Sequence, residues 1–281
     1  MPAWRLANTT LELPPPLGAG IVNVTDDSFF AGARSGTPER ALADGLGLVE
    51  AGFDLLDVGA VAARSGPPVP AAAEAAKLVP AIERLAAEAG VPVLADTFSP
   101  EVAAAALDAG AAAINDISGG SAEMLGLIAE RGCGYVLMHI EGPPRVDRRA
   151  PGYADPVAHL GGWFSERLER AVELGVDSEQ IALDPGLDFD LDTDDDLEIL
   201  RRLGELRSLG RPLFVALSRK DFLGAVLAGS WDERLPAAER EGATLAATTL
   251  AVAAGAEVLR LHDATALDAL RTAAAIAIPR P

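Results

Sequence analysis

The chain is short of cysteine, lysine, aromatic residues and long apolar runs, and each shortage closes off a class of protein. A single Cys133 in 281 residues excludes an intramolecular disulfide and a thiolate metal cage, and it suits a reducing compartment. Beside the run Tyr135–Val136–Leu137, that cysteine is expected to be a small buried side chain. The 23 basic residues are outnumbered by 42 acidic ones, a formal charge of −19. This argues against a nucleic-acid partner, because counterion release requires a basic face. No basic segment with a long apolar stretch follows Met1, and Glu, Arg or Gly breaks each apolar helical segment before the roughly 20 residues of a membrane span. A soluble, cytoplasmic protein without a membrane partner is expected. No Pro- or Ser-rich linker separates unlike halves, so residues 1–281 are expected to form one domain, with 1–16 as an extended, proline-rich lead-in.

What the chain does have is alternation. Short apolar runs fall at Gly20–Val24, Leu55–Val58, Val91–Ala95, Ala112–Ile114, Tyr135–Met138, Ile181–Leu183, Pro212–Leu217 and Glu257–Leu261. Alanine- and leucine-rich segments of helical pattern lie between them, many ending in Ala-Gly or Leu-Gly, where glycine accepts the left-handed cap. Short apolar strands alternating with helices predict parallel strands covered on both sides, and eight of them predict a single (β/α)8 TIM barrel.

Every run stops at a polar residue: Asn23, Asp57, Asp96, Asn115, His139, Asp184, Ser218 with Lys220, and Arg260 with His262. The carboxyl ends of barrel strands are where such a fold builds its site. Carboxylates and amides come from the middle strands and cations from the last two. In so acidic a chain, Arg219, Lys220, Arg260 and His262 would be needed to focus an anionic ligand. The pattern suits a ligand with a hydrogen-bonding ring at one end and an anion at the other. The competing reading of Asp96 and Asp184 is a pair of structural carboxylates at the rim, and that of Arg260 and His262 an ion pair with Asp57 or Asp263.

Taken in order, the strand-end motifs resemble the dihydropteroate synthase family of pterin-binding barrels. The matching stretches are Ile21-Val22-Asn23-Val24-Thr25 with Asp27-Ser28-Phe29, then Asp57-Val58-Gly59, Asp96-Thr97 and Asn115-Asp116-Ile117-Ser118-Gly119. They continue as Leu137-Met138-His139, Asp184-Pro185-Gly186, Leu217-Ser218-Arg219-Lys220 with Phe222, and Arg260-Leu261-His262-Asp263. The resemblance implies an enzyme that joins 6-hydroxymethyl-7,8-dihydropterin pyrophosphate to p-aminobenzoate with Mg²⁺ and releases pyrophosphate. It implies that Asp96, Asn115, Asp184 and Lys220 line the pterin pocket. Asn23, Arg64, Arg260 and His262 would belong to the pyrophosphate end, with Asn23 near the metal. Lys220, Arg260 and His262 would be the catalytic cations, and Phe189 and Ser218 would lie toward the aminobenzoate. The residue chemistry agrees: a carboxylate accepts paired N–H donors, an amide reads a mixed edge, and a lysine reaches a carbonyl. Pairing of two copies into a homodimer is plausible for such a barrel.

Several positions depart from the family. Its second loop usually reads Gly-Gly-Glu-Ser-Thr-Arg-Pro-Gly, and here Ala62 and Ala63 replace the two hydroxyls before Arg64. After strand six, Gly-Phe-Gly-Lys becomes Asp188-Phe189-Asp190-Leu191. Asp26 stands where proline is usual, and Asp221 follows Lys220. The pterin-facing residues are intact, which leaves a pterin-binding paralogue without synthase activity as an alternative. A methyltetrahydrofolate-dependent methyltransferase barrel has no need of the cations Lys220, Arg260 and His262. The aspartates from Asp188 to Asp196 imitate a calcium loop, but Thr193 and Ile199 occupy the glycine and glutamate positions that loop requires. A solvated helix N-terminus is expected there, and Arg145, Arg148 and Arg149 are expected to be solvated charges.

Overall fold

The computed structural model describes residues 3–24, 37–63, 66–146 and 152–277. Eight parallel strands form one sheet: β3 (Leu17–Asn23), β4 (Leu55–Gly59), β5 (Val93–Asp96), β6 (Ala113–Asp116), β7 (Gly134–Met138), β8 (Ile181–Asp184), β9 (Phe214–Ala216) and β10 (Val258–Leu261). Each of β3 to β7 pairs with its successor, β10 pairs with both β3 and β9, and a parallel bridge from Leu183 to Leu213 closes the ring between β8 and β9. This is the (β/α)8 barrel the alternation predicts, with strand ends within a few residues of those expected.

Helices α1 (Pro38–Ala51), α2 (Ala71–Glu88), α3 (Pro100–Asp108), α4 (Ala122–Arg131), α5 (Pro156–Glu173), α6 (Thr193–Arg201), α7 (Asp221–Ala228), α8 (Glu241–Ala253) and α9 (Ala264–Ala277) cover the outside. Their starts carry local signals: Thr37, Ser99, Ser121 and Asp155 cap the free N–H groups of α1, α3, α4 and α5. Outward strand residues such as Leu56, Val58, Ile114, Leu137, Leu183, Val215 and Leu259 pack with these helices into one apolar core.

The first residues correct the expectation of an extended lead-in. Strands β1 (Ala3–Arg5) and β2 (Thr10–Glu12) pair antiparallel as a hairpin. Trp4, Leu6 and Leu13 are buried against Ala19, Leu55, Leu94, Ala113, Val136, Ala182, Phe214 and Val258. Those eight residues are inward-facing positions of the barrel strands, so the hairpin plugs the end from which the strands start. The Trp4 indole donates to the Gln180 carbonyl at 2.8 Å. Leu6 approaches Gly134 so closely that a Cβ there would lie 2.5 Å from it. The proline content of the segment conceals the short alternation of Trp4 and Leu6 that builds the plug.

Trp4→Ala should therefore leave a cavity under the barrel and cost about 3–5 kcal/mol of stability. Urea unfolding followed by far-UV dichroism is expected to show a lower midpoint with an unchanged slope.

Candidate active site

Side chains alternate across a strand, so the inward position two residues beyond the apolar layer also faces the barrel interior. Moving two residues on from Ala19, Leu55, Leu94, Ala113, Val136, Ala182, Phe214 and Val258 gives Ile21, Asp57, Asp96, Asn115, Met138, Asp184, Ala216 and Arg260. The apolar layer seals the floor, and the layer above it holds three carboxylates, an amide and a guanidinium.

These groups meet. Arg260 donates through Nε to Asp57 Oδ2 and through Nη2 to Asp96 Oδ2, the latter at 2.7 Å. Asn115 Nδ2 donates to the same Asp57 oxygen at 3.1 Å. Two buried acceptors in the cluster, Asp57 Oδ1 and Asn115 Oδ1, have no hydrogen-bond partner among the described residues. A buried acceptor left unpaired is costly, and a ligand bearing N–H groups would satisfy it. The ion-pair reading of Arg260 is thus correct for this state, and Asp57 is its buried partner. Burial alone would lower the Arg260 pKa, but Asp57 and Asp96 outweigh that effect and raise it.

Asp184 stands on the same level at the end of β8. Its Oδ1 accepts from the Gly186 N–H at 2.8 Å, while its backbone carbonyl accepts from the His139 N–H at 2.9 Å. Gly186 has φ +70, and a Cβ on it would lie 2.2 Å from the His139 carbonyl oxygen. The Asp-Pro-Gly motif is therefore a turn that only glycine can close, and it aims the carboxylate. Burial lifts the Asp184 pKa to about 6 against the pull of Lys220, and lifts that of Asp96 to about 7 against Arg260. Lys220 lies among Asp184, Asp188 and Arg260; burial lowers its pKa, which those carboxylates partly restore. Its Nζ donates to the Leu187 carbonyl at 2.8 Å and sits 4.6 Å above the Phe189 ring.

The cationic lip is smaller than the sequence suggests. Arg219 has φ 57 and is buried, donating to the Ala237 carbonyl and to Asp263 at 3.3 Å. It braces the start of α8 rather than joining Lys220 and Arg260. His262 follows β10 and is half-buried, its N–H donating to the Ser218 hydroxyl at 3.3 Å. Burial, then Arg260 and Arg219, lower the His262 pKa to about 3, so its ring is neutral at physiological pH. Asn23 is half-buried at the end of β3, beside Gly59 in register. Arg64, Asp26, Arg148, Arg149 and the stretch Thr25, Asp27, Ser28 and Phe29 lie outside the described residues.

The departures from the family have structural partners. Asp188 and Asp190 stand where glycines are usual and adopt φ 72 and 55, a left-handed conformation that aspartate tolerates better than most residues. Asp188 is buried and accepts from the N–H groups of Asp221 and Phe222, capping α7. Asp190 accepts from the Glu141 N–H at 3.0 Å. Leu191, in place of lysine, is buried in the outer core. Asp221 pairs with buried Arg240 at 2.5 Å and with Arg234 at 3.3 Å. Asp192 caps α6, as expected, but Asp188, Asp190, Asp195 and Asp196 are buried, which corrects the picture of a solvated acidic face. Arg145 is also no solvated charge: it donates to the carbonyls of Ala62 and Pro67 and so clasps the loop after β4. In the Asn-Asp-Ile-Ser-Gly motif, Asp116 is structural, accepting from the Tyr135 hydroxyl at 2.7 Å and from Ser118.

Comparison with known proteins agrees with this geometry. A family model described as "Pterin binding enzyme" matches residues 19–262. The dihydropteroate synthase of Mycobacterium leprae is 38% identical over 278 residues, covering 94% of this chain and 95% of that one. The chain belongs to the dihydropteroate synthase family. Among solved structures of that family, the Xanthomonas albilineans dihydropteroate synthase with 4-aminobenzoic acid superposes with a TM-score of 0.87 at 39% identity, covering 99% of each chain. The same enzyme in complex with 7,8-dihydropteroate gives 0.85 at 39% identity, covering 99% of this chain and 100% of that one. These synthase relatives do not favour the two alternatives, a binder without activity and a methyltransferase. Asp57 was legible as a strand-end polar residue and as a candidate partner of Arg260, but it was not assigned to the pterin pocket; the signal for that was its position two residues beyond inward Leu55.

Because Gly186 both closes its turn and fixes Asp184, Gly186→Ala should cost at least about 2 kcal/mol through left-handed strain and the clash with His139. A thermal scan should show the lowered midpoint, and a pterin titration should show weakened affinity in the protein that remains folded.

Proposed function

We propose that this chain is a dihydropteroate synthase, joining 6-hydroxymethyl-7,8-dihydropterin pyrophosphate to p-aminobenzoate to give 7,8-dihydropteroate and pyrophosphate. The observation that carries the proposal is one tier of acceptors, buried Asp57, Asn115 and Asp184 with half-buried Asp96, gathered with Arg260 and Lys220 at the barrel mouth, two of them with an unpaired oxygen. A bicyclic ring with adjacent N–H donors and a carbonyl matches that tier. Asp184 takes paired N–H donors, Asn115 and Asp96 read the neighbouring edge, and Lys220 turns from the Leu187 carbonyl to the ring carbonyl. Phe189 lies in an apolar patch with Ala63, Phe98, Ile117, Met138 and Ile140, a surface suited to the aryl ring of p-aminobenzoate, and Ser218 would supply a polar partner.

In the reaction, the carbon–oxygen bond from the pterin methylene to diphosphate breaks, and the arylamine nitrogen then bonds to that methylene carbon. The electron pair leaves with the diphosphate, and the amine proton passes to solvent. No protein nucleophile is needed. The chain contributes by holding the two partners in line and by stabilising the leaving anion. Arg260 and His262 serve the diphosphate end, joined by Arg64 and Asn23. His262 begins as a neutral donor, and an arriving anion favours its protonated form. The donor set fits Mg²⁺: Asn23 offers one neutral oxygen, and this ion takes few protein ligands besides phosphate oxygens and water. When bound, Mg²⁺ would neutralise charge on the diphosphate.

No helix among the described residues is long and apolar enough to cross a membrane, and we place the enzyme in the cytoplasm. Exposed Val226 and Leu227 on α7 and Leu250 on α8 suit contact with a second copy in a homodimer.

With Mg²⁺ and both substrates, the purified protein is expected to release pyrophosphate in a coupled phosphate assay. Binding of the pterin substrate without release would overturn the synthase reading. Pterin affinity should also depend on pH with a definite sign. The free carboxyl of Asp184 titrates near 6, and ring N–H donors favour its anion, so binding expels a proton. Affinity should rise as pH increases through about 6 and then level. Asp184→Asn should flatten that dependence and weaken binding about 100-fold, the loss of two charge-assisted hydrogen bonds. Calorimetry in buffers of different ionisation enthalpy checks both.

A further inference from the structure

Two of the three histidines lie together at the end of β7, where the synthase chemistry makes no use of them. His139 is buried directly after Met138, its ring 5.0 Å from Trp163 and 5.5 Å from His159. His159 stands in the first turn of α5, its ring stacked on Tyr153 at 4.0 Å and 20°. Between them lies Glu141. Its Oε1 is 3.4 Å from His139 Nε2 and 2.6 Å from His159 Nε2. One nitrogen of each ring and the carboxylate all lie within 4.8 Å of one another.

We propose that His139, Glu141 and His159 form a binding site for a divalent transition metal of the zinc class, tying the start of the β7–α5 segment to the first turn of α5. The donor set is two imidazoles and a carboxylate, three protein ligands with a further position open to solvent. Geometry supports it. With metal–nitrogen bonds of about 2.1 Å, the edge of a tetrahedron is about 3.4 Å. The His139–Glu141 separation of 3.4 Å already matches that edge, while the His159–Glu141 contact of 2.6 Å has to open. Those two side chains are 31% and 38% exposed, which gives the room for that movement and a path for the ion. Aromatic neighbours hold both rings in place. With no metal, one carboxylate oxygen faces both Nε2 atoms, and His139 Nδ1 is buried without a hydrogen-bond partner among the described residues. A metal would take the Nε2 lone pair of each imidazole, with the ring proton carried on Nδ1.

Imidazole ligands favour zinc, copper and nickel over magnesium, so this site differs in chemistry from the Mg²⁺ that suits the diphosphate. Its reach is also distinct. Arg145, four residues after Glu141, clasps the loop after β4 through the Ala62 and Pro67 carbonyls. A metal holding Glu141 to His159 would steady that clasp. The bland alternative, an exposed His159–Glu141 ion pair, contributes little in water and needs neither His139 nor a metal.

The test uses the untagged full chain, stripped with a chelator and dialysed, then titrated with Zn²⁺ against a chromophoric competitor in excess Mg²⁺. One Zn²⁺ per chain with a Kd below about 1 μM is expected, and it should raise the thermal midpoint. Glu141→Gln and His159→Gln should each weaken binding at least tenfold while keeping the metal-free thermal transition, since both side chains are part-exposed. His262→Gln, which removes the remaining histidine, should bind Zn²⁺ as the wild type does. Wild-type affinity weaker than about 100 μM, unchanged affinity in Glu141→Gln and His159→Gln, or loss confined to His262→Gln would overturn the proposal.

Discussion

The site depends on one half-buried guanidinium shared by two carboxylates. Arg260 reaches from β10 to Asp57 on β4 and Asp96 on β5, drawing three strands together just above the apolar layer. A charge in that position would be prohibitive without partners, and either carboxylate alone would face the same penalty. Together they are tolerated, and they impose an order on the mouth of the barrel. Asn115 is oriented by Asp57, and its carbonyl oxygen is left without a hydrogen-bond partner among the described residues. Asp184, on a turn closed by Gly186, completes the ring of acceptors. The site is polar because its floor is not: the hairpin and eight apolar side chains below exclude water and raise the carboxyl pKa values above.

That arrangement also explains how the chain departs from its family without losing the site. Acidic replacements near β8 and α7 would add repulsion if they faced the mouth. Asp188 instead caps α7, Asp190 fastens Glu141, and Asp221 takes up Arg240 and Arg234. Each new acid has acquired a donor that a glycine or hydroxyl residue would not need. The loop with Ala62 and Ala63 has lost hydroxyls, but the Arg145 clasp holds it from outside.

Much of this was readable from sequence. Period-two alternation along strands such as Leu55-Leu56-Asp57 tells which residues share the interior, and the polar stop on each strand locates the mouth. Asp96, Asn115, Asp184, Lys220 and Arg260 could be gathered on that basis. What escaped depends on long-range contacts. The hairpin is three residues per strand, too short for its alternation of Trp4 and Leu6 to stand out among the prolines, so only its packing under the barrel reveals it. Arg219 and Lys220 are neighbours in sequence, yet the left-handed backbone at Arg219 sends one side chain to Asp263 and the other toward Asp184. No local pattern separates them. Partner choice for Arg260 and the pairing of Arg145 with the loop after β4 likewise span scores of residues.

The most direct check is a crystal structure of the protein with the pterin pyrophosphate bound. The account predicts the bicyclic ring lying over the Asp57–Asp96–Asn115–Asp184 tier, with its N–H groups within hydrogen-bonding reach of Asp184 and Asn115 Oδ1, and the diphosphate toward Asn23 and His262. A ring bound elsewhere, with those acceptors still turned to Arg260 or left unpaired, would contradict it.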